Sequence, residues 1–313
     1  MNQHASSTDA LPSIGFLGCG NMGGPMCIRL VQAGYKVTAF DIDNEALQRV
    51  VDQGATAATS AADCAKSADI FLTSLPRPDH VEAVMLGDNG ALAHLRSGSI
   101  WVDLTTNRKD LVETIAAAAP SGVQVVDCPV TGAVDGARNG KLTLFIGGDK
   151  DPVARVTPVL NNLGLVIHCG PRGTGNVVKL VTNQLWFIAA AAIGEGFAIG
   201  IGNGVELGTL WHAIKESVGD SFVVRHDAPS IFAGHYDPSF SLDLCMKDLN
   251  LIGELGANIT ASLPMTDAAR GAFAVAKERY GANAAELHVA KRIEDDANIS
   301  MRLAGDWTPP WEQ

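Results

Sequence analysis

A glycine-rich turn near the start of the chain constrains the fold more strongly than any other feature. The apolar run Ile14–Leu17 has the pattern of a buried strand, and it leads directly into a G-x-G-x-x-G spacing and a helical segment. The first glycine of such a turn permits the tight bend, the second lets backbone N–H groups approach a pyrophosphate, and the third allows close helix–strand packing. The phosphates then lie at the positive end of the helix. The dinucleotide-binding residues predicted here are Gly18, Gly20, Asn21, Met22 and Gly23.

An acidic residue follows the second predicted strand, Lys36–Phe40. Asp41 lies 18 residues past Gly23, where a carboxylate can accept hydrogen bonds from ribose hydroxyls and repel a 2′-phosphate. The segment Asp41–Asp43 contains no arginine to hold that phosphate. The sequence therefore predicts NAD as the cofactor rather than NADP. The alternative is that Asp41 is only a solvated residue at a strand end.

Short β-rich runs alternate with helical segments through the first half of the chain. The further predicted strands are Asp69–Ser74, Ser99–Asp103, Gln124–Asp127, Leu142–Ile146 and Val166–Cys169. This alternation predicts a mostly parallel sheet with helices on both faces. After Gly175 only helical patterns follow. The first is one long segment, Asn176–Gly202, which we expect to be broken by the glycines near its end.

The change of pattern near Pro171–Gly173 divides the chain into two predicted domains. We predict a flexible tail over residues 1–12 and an α/β Rossmann domain with an extended, mostly parallel sheet over residues 13–172. An all-α domain for substrate binding and dimerisation is predicted over residues 173–300, beginning with a long interdomain helix. Residues 301–313 are predicted to be a second tail.

Composition limits the classes of partner. The chain has 313 residues, of which 47% are hydrophobic and 18% charged, a balance typical of globular proteins. Its formal net charge of −11, without clusters of Lys and Arg, argues against a nucleic-acid partner. Six cysteines show neither a C-x-x-C pair nor zinc spacing, so we predict no metal site and a reduced, cytoplasmic protein. The polar first dozen residues lack the apolar core of a signal peptide.

One stretch, Leu185–Ile201, is almost wholly apolar and resembles a membrane span in length. Glu195 lies inside it, and a charged side chain is costly in the hydrocarbon region of a bilayer. The sequence therefore predicts a helix buried in protein, and no membrane partner.

The strongest candidate for acid–base chemistry lies in the segment Gly173–Lys179. Two glycines precede a predicted helix start, Lys179 follows about one turn later, and Asn183 at i+4 shares its helical face. The neighbouring helix positions are apolar. Such surroundings remove hydration from an ammonium group, lower its pKa and suit the lysine to act as a base. The alternative is a lysine whose charged end reaches solvent at a helix terminus.

A loop rich in small residues follows the predicted strand Gln124–Asp127. Backbone N–H groups at Thr131 and Gly132 could hold a substrate carboxylate, and the Thr131 hydroxyl adds a donor. The alternative is an ordinary glycine-rich loop. Its place after a strand end favours a ligand-binding role, because ligands bind outside the carboxyl ends of parallel strands.

Two further strand ends and one helix carry candidate residues. Leu75-Pro76 and Thr105-Thr106 end predicted strands at the same sheet edge, although they could be only turn residues. Lys247 is a charge among apolar helical positions and could reach the cofactor or substrate; alone it would be taken for a surface residue.

These motifs, in this order, resemble one protein family, the β-hydroxyacid dehydrogenases, which include 3-hydroxyisobutyrate dehydrogenase and tartronate semialdehyde reductase. The matching segments are Gly18–Met26, Thr73–Pro76, Asp103–Thr106, Asp127–Gly140, Gly173–Asn183 and Phe240–Leu251. The resemblance covers roughly residues 13–295. It implies a Rossmann domain, a long interdomain helix and an all-α domain, and it implies a homodimer or homotetramer.

The resemblance also implies a role for each matched residue. Lys179 is implied as the general acid/base of a hydride transfer between a nicotinamide cofactor and a small 3-hydroxy acid, similar to 3-hydroxyisobutyrate, or its semialdehyde. The implied substrate-binding residues are Thr131, Gly132 and Asn183. The implied cofactor-binding residues, beyond the glycine turn and Asp41, are Leu75, Pro76, Thr106 and Lys247.

Three positions depart from the family pattern. Thr131 replaces the usual serine, Ala133 replaces a glycine, and Thr182 replaces an asparagine. Thr131 keeps the hydroxyl but adds a methyl group, so a tighter pocket is expected. The role of Arg225 and His226 in the helical half stays open. These departures leave the reaction type standing and leave the identity of the hydroxy acid open.

Two alternative functions remain open at the level of sequence. An imine reductase would share the architecture, but those relatives usually carry Asp or Tyr where this chain has Lys179. A non-catalytic dinucleotide-binding module would not need Lys179 beside Asn183. A 6-phosphogluconate dehydrogenase is also similar, but its helical domain is longer.

Overall fold

The described part of the chain forms two compact units. The computed structural model describes residues 11–307. Its first unit ends at Asn176 and its second begins at Val177, so the boundary falls inside one long helix. Each unit has a hydrophobic core of its own.

The first unit is built on one sheet of nine strands in the described residues. The strands are β1 (Ile14–Leu17), β2 (Val37–Phe40), β3 (Thr56–Ala57), β4 (Ile70–Thr73), β5 (Ile100–Asp103), β6 (Gln124–Asp127), β7 (Val130–Thr131), β8 (Leu142–Gly147) and β9 (Gly164–Gly170). Their order is β3-β2-β1-β4-β5-β6-β8-β7, and β9 pairs with β8. The pairs among β1 to β6 are parallel, whereas β8 runs antiparallel to β6 and β7. The predicted α/β class with a mostly parallel sheet is confirmed.

Helices cover both faces of this sheet. They are α1 (Gly23–Gln32), α2 (Asn44–Val51), α3 (Ala61–Lys66), α4 (Pro78–Leu86), α5 (Lys109–Ala118), α6 (Ala133–Asn139) and α7 (Lys150–Leu160), with a short 3-10 helix at Ala91–His94. Successive strand residues supply the two faces alternately. Phe16 packs into the core cluster that contains α1, while Leu17 packs into the cluster that contains α4 and α5. The sheet therefore presents the carboxyl ends of β1, β4 and β5 together at one edge.

The second unit is helical, as predicted. Its helices are α8 (Thr174–Gly202), which begins in the first unit, α9 (Leu207–Lys215), α10 (Ala228–Ala233), α11 (Leu242–Asn258), α12 (Pro264–Tyr280) and α13 (His288–Ala297), and a π-helical turn spans Val223–Asp227. Aromatic side chains fill the core. Phe187 of α8 and Phe273 of α12 meet edge to face at 5.3 Å between ring centroids.

The expected break in α8 does not occur. The helix continues through Gly194 and Gly200 to Gly202. A Cβ at Gly194 would lie 2.8 Å from Ala290 Cα, and one at Gly200 would collide with Leu210. These glycines therefore allow close contact with α13 and α9, and this packing outweighs their low helix propensity.

A continuous stripe of α8 is exposed on the second unit. Its members are Val181, Leu185, Ala192, Glu195 and Ile199. Among the described helices, α8 alone is long and apolar enough to cross a membrane, a property that core helices of soluble proteins share. About a third of its most apolar window is buried within the chain. The sequence predicted a helix buried in protein, and the described residues of this chain bury α8 only in part.

Candidate active site

The glycine turn between β1 and α1 has the geometry of a phosphate-binding turn. Gly18 adopts φ +92°, and a Cβ there would collide with the Ser74 carbonyl oxygen. A Cβ at Gly23 would collide with the Gly18 carbonyl oxygen. A Cβ at Gly20 would meet nothing within 4 Å among the described residues. The packing of the chain therefore requires glycine at Gly18 and Gly23, whereas Gly20 leaves the backbone accessible to a ligand, which fits a bound dinucleotide.

Asp41 lies at the end of β2, where it fixes the glycine turn. Its Oδ2 accepts a hydrogen bond from the Cys19 backbone N–H at 2.6 Å, and its Oδ1 accepts from the Asp43 N–H at 2.8 Å. A carboxylate oxygen can accept more than one hydrogen bond. Asp41 therefore holds its negative charge against the turn and keeps acceptor capacity for ribose hydroxyls; it is more than a solvated strand end.

The ends of β4 and β5 are tied together at the same sheet edge. The Leu75 N–H donates to Thr105 Oγ1 at 3.0 Å, and Leu75 lies close enough to Gly18 to contact a Cβ placed there. Beneath them, Thr73 Oγ1 donates to Asp103 Oδ1 at 2.9 Å. Pro76 and Thr106 follow directly on these residues in the chain. The structure thus brings Leu75 and the β5 end to the glycine turn.

A buried polar network, not predicted from the sequence, holds the start of α8. Asp127, at the end of β6, accepts from the Gly173 N–H at 2.6 Å and from the Asn176 N–H at 2.8 Å. Asn176 Oδ1 in turn accepts from the Asn107 N–H at 2.7 Å, and Asn107 donates to Asp103 Oδ2 at 2.8 Å. Burial raises the pKa of Asp127 to about 6, against the opposing effect of these bonds. The carboxylate lies at the positive end of α8, where an anion is stabilised.

The predicted substrate loop contains a strained residue. Thr131 ends β7, opposite Thr143 of β8, and is half-buried. Gly132 follows with φ +121° and Ala133 with φ +59°. Left-handed backbone is costly for alanine, so the replacement of the usual family glycine by Ala133 stores strain directly after the predicted carboxylate-binding residues.

In the second unit, Lys179 is a buried lysine on α8. Its residue is 8% exposed, and no hydrogen bond or ion pair reaches its ammonium from the described residues. Burial lowers its pKa to about 8, with a further lowering by Lys247, while Asp248 and Glu286 act in the opposite direction. The surroundings predicted from the apolar spacing are therefore present, and the alternative of a lysine reaching solvent is wrong. An amine with this pKa can take up or release a proton near neutral pH.

Asn183 and Lys247 meet through an aspartate that sequence reasoning missed. Asn183 Nδ2 donates to Asp248 Oδ2 at 2.7 Å, and Lys247 Nζ forms an ion pair with Asp248 Oδ1 at 2.8 Å. Asp248 is 1% exposed, so its charge acts strongly on its neighbours. It links α11 to the face of α8 that carries Lys179. The adjacent Lys-Asp pair in an apolar helix was the signal that could have revealed it.

Arg225 and His226 lie on the π-helical turn, and they differ in burial. Arg225 is exposed and pairs with Asp220 at 2.8 Å. His226 is partly buried, with Nδ1 lying 2.8 Å from Asp227 Oδ1 and its ring stacked on Phe222 at 4.5 Å between centroids. His226 therefore contributes to the polar interior of the second unit, and Arg225 to its surface.

Two family models together cover most of the chain. Residues 13–170 match the NAD binding domain of 6-phosphogluconate dehydrogenase. Residues 173–293 match the NAD-binding domain of NADP-dependent 3-hydroxyisobutyrate dehydrogenase.

Individual relatives agree with these matches. The chain is 36% identical over 276 residues to a 3-hydroxyisobutyrate dehydrogenase of Pseudomonas aeruginosa, covering 85% of this chain and 92% of the relative. It is 34% identical over 266 residues to an NAD-dependent L-serine dehydrogenase of the same organism, covering 82% and 89%. The solved structure of Mycobacterium tuberculosis 3-hydroxyisobutyrate dehydrogenase with L-serine superimposes with a TM-score of 0.82 at 29% identity, covering 91% of this chain and 99% of that one.

Proposed function

The chain belongs to the β-hydroxyacid dehydrogenase family, and we propose that it interconverts a small 3-hydroxy acid and its semialdehyde with Lys179 as the proton-transfer residue. The single observation that carries the proposal is the buried ammonium of Lys179, whose pKa of about 8 places both protonation states within reach. A structural lysine would not be expected to remain buried without a partner, because the charged form is costly there.

Each direction of the reaction requires a different protonation state of Lys179. In oxidation the hydrogen leaves the carbinol carbon with the C–H bonding electrons as a hydride, the neutral amine takes the hydroxyl proton, and a carbonyl forms. In reduction the charged ammonium returns that proton to the oxygen as hydride arrives at carbon. A bound nicotinamide dinucleotide supplies the hydride acceptor or donor.

The neighbours of Lys179 within the second unit support this role. The Asp248 carboxylate accepts a hydrogen bond from Asn183 and forms an ion pair with Lys247. These contacts hold the Asn183 amide in a fixed orientation on the helical face that carries Lys179. We propose that Asn183 hydrogen-bonds the substrate, and that Thr131 and Gly132 of the first unit bind its carboxylate. Both proposals rest on the family motif together with the donors that these residues offer.

For the cofactor, we propose NAD over NADP. The Asp41 carboxylate is held at the glycine turn, where it would accept from ribose hydroxyls and oppose a phosphate. The proposed contacts of the dinucleotide are Gly18, Gly20, Asn21, Met22, Gly23, Asp41, Leu75, Pro76, Thr106 and Lys247. Titration with NAD and NADP, followed by nicotinamide or protein fluorescence, tests the preference; tighter NADP binding would contradict it.

The experiment that tests the whole proposal follows NADH absorbance with a panel of hydroxy acids. The panel contains 3-hydroxyisobutyrate, serine, glycerate, threonate and hydroxybutyrates. Lys179→Ala should lose nearly all turnover while NAD binding persists, and Lys291→Ala, which removes a lysine of α13, should keep it. Full activity of the Lys179 variant would refute the mechanism.

The two alternative functions predict different outcomes in the same assay. An imine reductase would reduce cyclic imines and leave the hydroxy acids untouched. A non-catalytic module would bind dinucleotide without turnover of any substrate. The buried Lys179 favours the dehydrogenase over both, because neither alternative uses a lysine that must change its charge.

The exposed apolar stripe of α8 supports a homo-oligomer. Val181, Leu185 and Ile199 are each exposed on one helical face, and we propose that a second copy of the chain covers them. Light scattering after size exclusion measures the mass; a monomer at micromolar concentration would contradict the proposal. The six unpaired cysteines are consistent with a reducing, cytoplasmic setting, which we also propose.

A further inference from the structure

The start of α8 closes around a buried carboxylate. Asp127, at the end of β6, has no exposed surface. Its Oδ1 accepts a hydrogen bond from the Gly173 N–H at 2.6 Å, and its Oδ2 accepts from the Asn176 N–H at 2.8 Å and from Asn176 Nδ2 at 3.2 Å. All three donors belong to the first turn of α8 or to the residue before it. One side chain of the sheet thus holds the beginning of the helix that carries Lys179.

Glycines make this close approach possible. A Cβ at Gly147 of β8 would collide with Asp127 Oδ1. A Cβ at Gly175 would collide with the Phe145 carbonyl oxygen and would lie 2.9 Å from Asp127 Oδ2. Gly173 adopts φ +86°, a left-handed conformation that favours glycine. The two glycines that precede Lys179 in the sequence therefore serve the contact between α8 and the carboxylate.

The contacts of Asp127 fit its ionised form. An ionised carboxylate only accepts hydrogen bonds, and the groups that contact its oxygens in the described residues are all N–H donors. The negative charge also lies at the positive end of α8. Protonation would turn one oxygen into a donor that faces N–H groups, so the start of α8 would lose an acceptor. The charge on Asp127 therefore decides how firmly the helix start is held.

A chain of hydrogen bonds extends this contact to the neighbouring strand ends. Asn176 Oδ1 accepts from the Asn107 N–H at 2.7 Å, and Asn107 Nδ2 donates to Asp103 Oδ2 at 2.8 Å. Asp103 Oδ1 accepts from the Thr105 N–H at 3.1 Å, and Thr105 Oγ1 accepts from the Leu75 N–H at 3.0 Å. The first turn of α8 is thus bonded to β6 and, through Asn107, to the edge that carries the proposed dinucleotide contacts.

We propose that four buried residues, Asp103, Asn107, Asn176 and ionised Asp127, form a helix anchor that positions Lys179 for proton transfer. Lys179 follows Asn176 by three residues in the same helix, so a displacement of the first turn is transmitted to the amine. The four residues are positioning residues and not catalytic ones, because they act on the reaction through the helix. The inference rests on the proposed function, since it takes Lys179 as the proton-transfer residue.

The anchor predicts a second ionisation in the reaction. Burial raises the pKa of Asp127 to about 6, against the effect of its hydrogen bonds, and the nearby Asp103 raises it further. Reduction needs ionised Asp127 together with charged Lys179, whose pKa is about 8. Its pH profile should therefore be bell-shaped, with limbs near pH 6 and pH 8. The other titratable groups around Asp127 are the Cys128 and Cys169 thiols, whose raised pKa keeps them neutral, Lys109 beside Gly173, and Arg172, which is paired with Glu113.

The first test measures the reduction of a semialdehyde by NADH from pH 5 to pH 9, with the acid decay of NADH subtracted. In the wild type, kcat should fall roughly tenfold from pH 7 to pH 5, because only about a tenth of Asp127 is ionised at pH 5. Asp127→Asn should lower kcat at pH 7 by roughly ten- to a hundredfold and should abolish the acid limb, while the limb near pH 8 persists. A residue that only stabilised the fold would lower the amount of active protein without removing a limb.

A second variant keeps the titrating carboxylate. Asn176→Ala removes one donor to Asp127 and the acceptor of Asn107, so the acid limb should move to higher pH and kcat should fall by roughly tenfold. The Kd of NADH should stay within about twofold, because the glycine turn and Asp41 are untouched. Asn203→Ala is the matched control. It removes an exposed side chain at the opposite end of α8, which donates to the Ile199 carbonyl at 2.7 Å, and it should leave the profile unchanged.

Hydrogen exchange tests the anchor without any variant. Peptides that span residues 172–182 should be protected roughly tenfold less at pH 5 than at pH 7, after correction for the intrinsic exchange rate. Peptides from α1 should show no such difference. Equal protection of residues 172–182 at both pH values, or an acid limb that Asp127→Asn retains, would overturn the inference.

Two further outcomes separate the inference from the function on which it rests. If the wild type reduces a semialdehyde without a limb near pH 6, the inference fails and the proposed function stands. If the wild type turns over neither hydroxy acids nor semialdehydes, the proposed function fails and the inference falls with it.

Discussion

Replacing Lys179 by methionine should stabilise the protein at neutral pH while abolishing its turnover. Methionine has a similar length, needs no hydration and adapts to apolar surroundings. In the folded chain the lysine pKa falls from its ordinary 10.5 to about 8, mainly through burial. At about 1.36 kcal/mol per pH unit, this fall corresponds to roughly 3 kcal/mol of lost stability in the wild type when the lysine is charged in both states.

The pH dependence of that difference follows from proton linkage. Below pH 8 the lysine is charged in both the folded and the unfolded chain, so the full penalty applies. Between pH 8 and 10.5 the unfolded chain binds more protons, so wild-type stability rises with pH relative to the variant. The advantage of Lys179→Met should therefore be largest at pH 7 and should shrink toward zero near pH 10.5.

Urea unfolding followed by tryptophan fluorescence, at pH 7, 8, 9 and 10, measures this advantage. Lys36→Met, which removes an exposed lysine, is the matched control and should show no such trend. Oxidation of the hydroxy acid by the wild type should in parallel accelerate as the pH rises through about 8, because neutral Lys179 is the base. A Lys179→Met variant that is less stable than wild type, or a difference that does not change with pH, would refute the reasoning.

Three further predictions concern the first unit. Gly20→Ala should weaken NAD binding by roughly tenfold or more, as measured by titration, and should change the free energy of unfolding by less than about 0.5 kcal/mol. Gly23→Ala should lower the free energy of unfolding, measured in urea, by about 1–3 kcal/mol. Asp41→Asn should shift the ratio of NADP to NAD affinity toward NADP by roughly tenfold or more, and an unchanged ratio would contradict the role of its charge. Ala133→Gly should raise the free energy of unfolding by about 0.5–1 kcal/mol, and a loss of stability would show that Ala133 is unstrained.

The fold was accessible from the sequence because local patterns and tertiary structure agree along most of it. The predicted strand Ile14–Leu17 matches β1, and Gln124–Asp127 matches β6, since continuous apolar runs are buried on both faces of the sheet. The two-residue strands β3 and β7 were missed, because a pairing of two residues leaves no periodicity to detect.

Only part of the candidate site could be predicted from the sequence. Residues that bind through the backbone or follow a family spacing, such as Gly20 and Lys179, could be named in advance. Asp127 and Asp248 could not, because their roles depend on partners 46 to 65 residues away in the chain. The convergence of the buried Asp227, Asp237 and Glu286 escaped for the same reason, because Glu286 lies far from the two aspartates in the chain.

The open surroundings of Gly20 have a consequence for how variants of this protein would be sorted. A methyl group there disturbs no neighbour among the described residues, so a library screened only for soluble expression would retain such clones. The same screen would discard changes at Gly23, where the chain itself has no room. If one library is selected separately for yield and for activity, the two sets of surviving variants should differ most at positions such as Gly20. The positions where they differ would identify the residues that contact the ligand, without a structure of the bound complex.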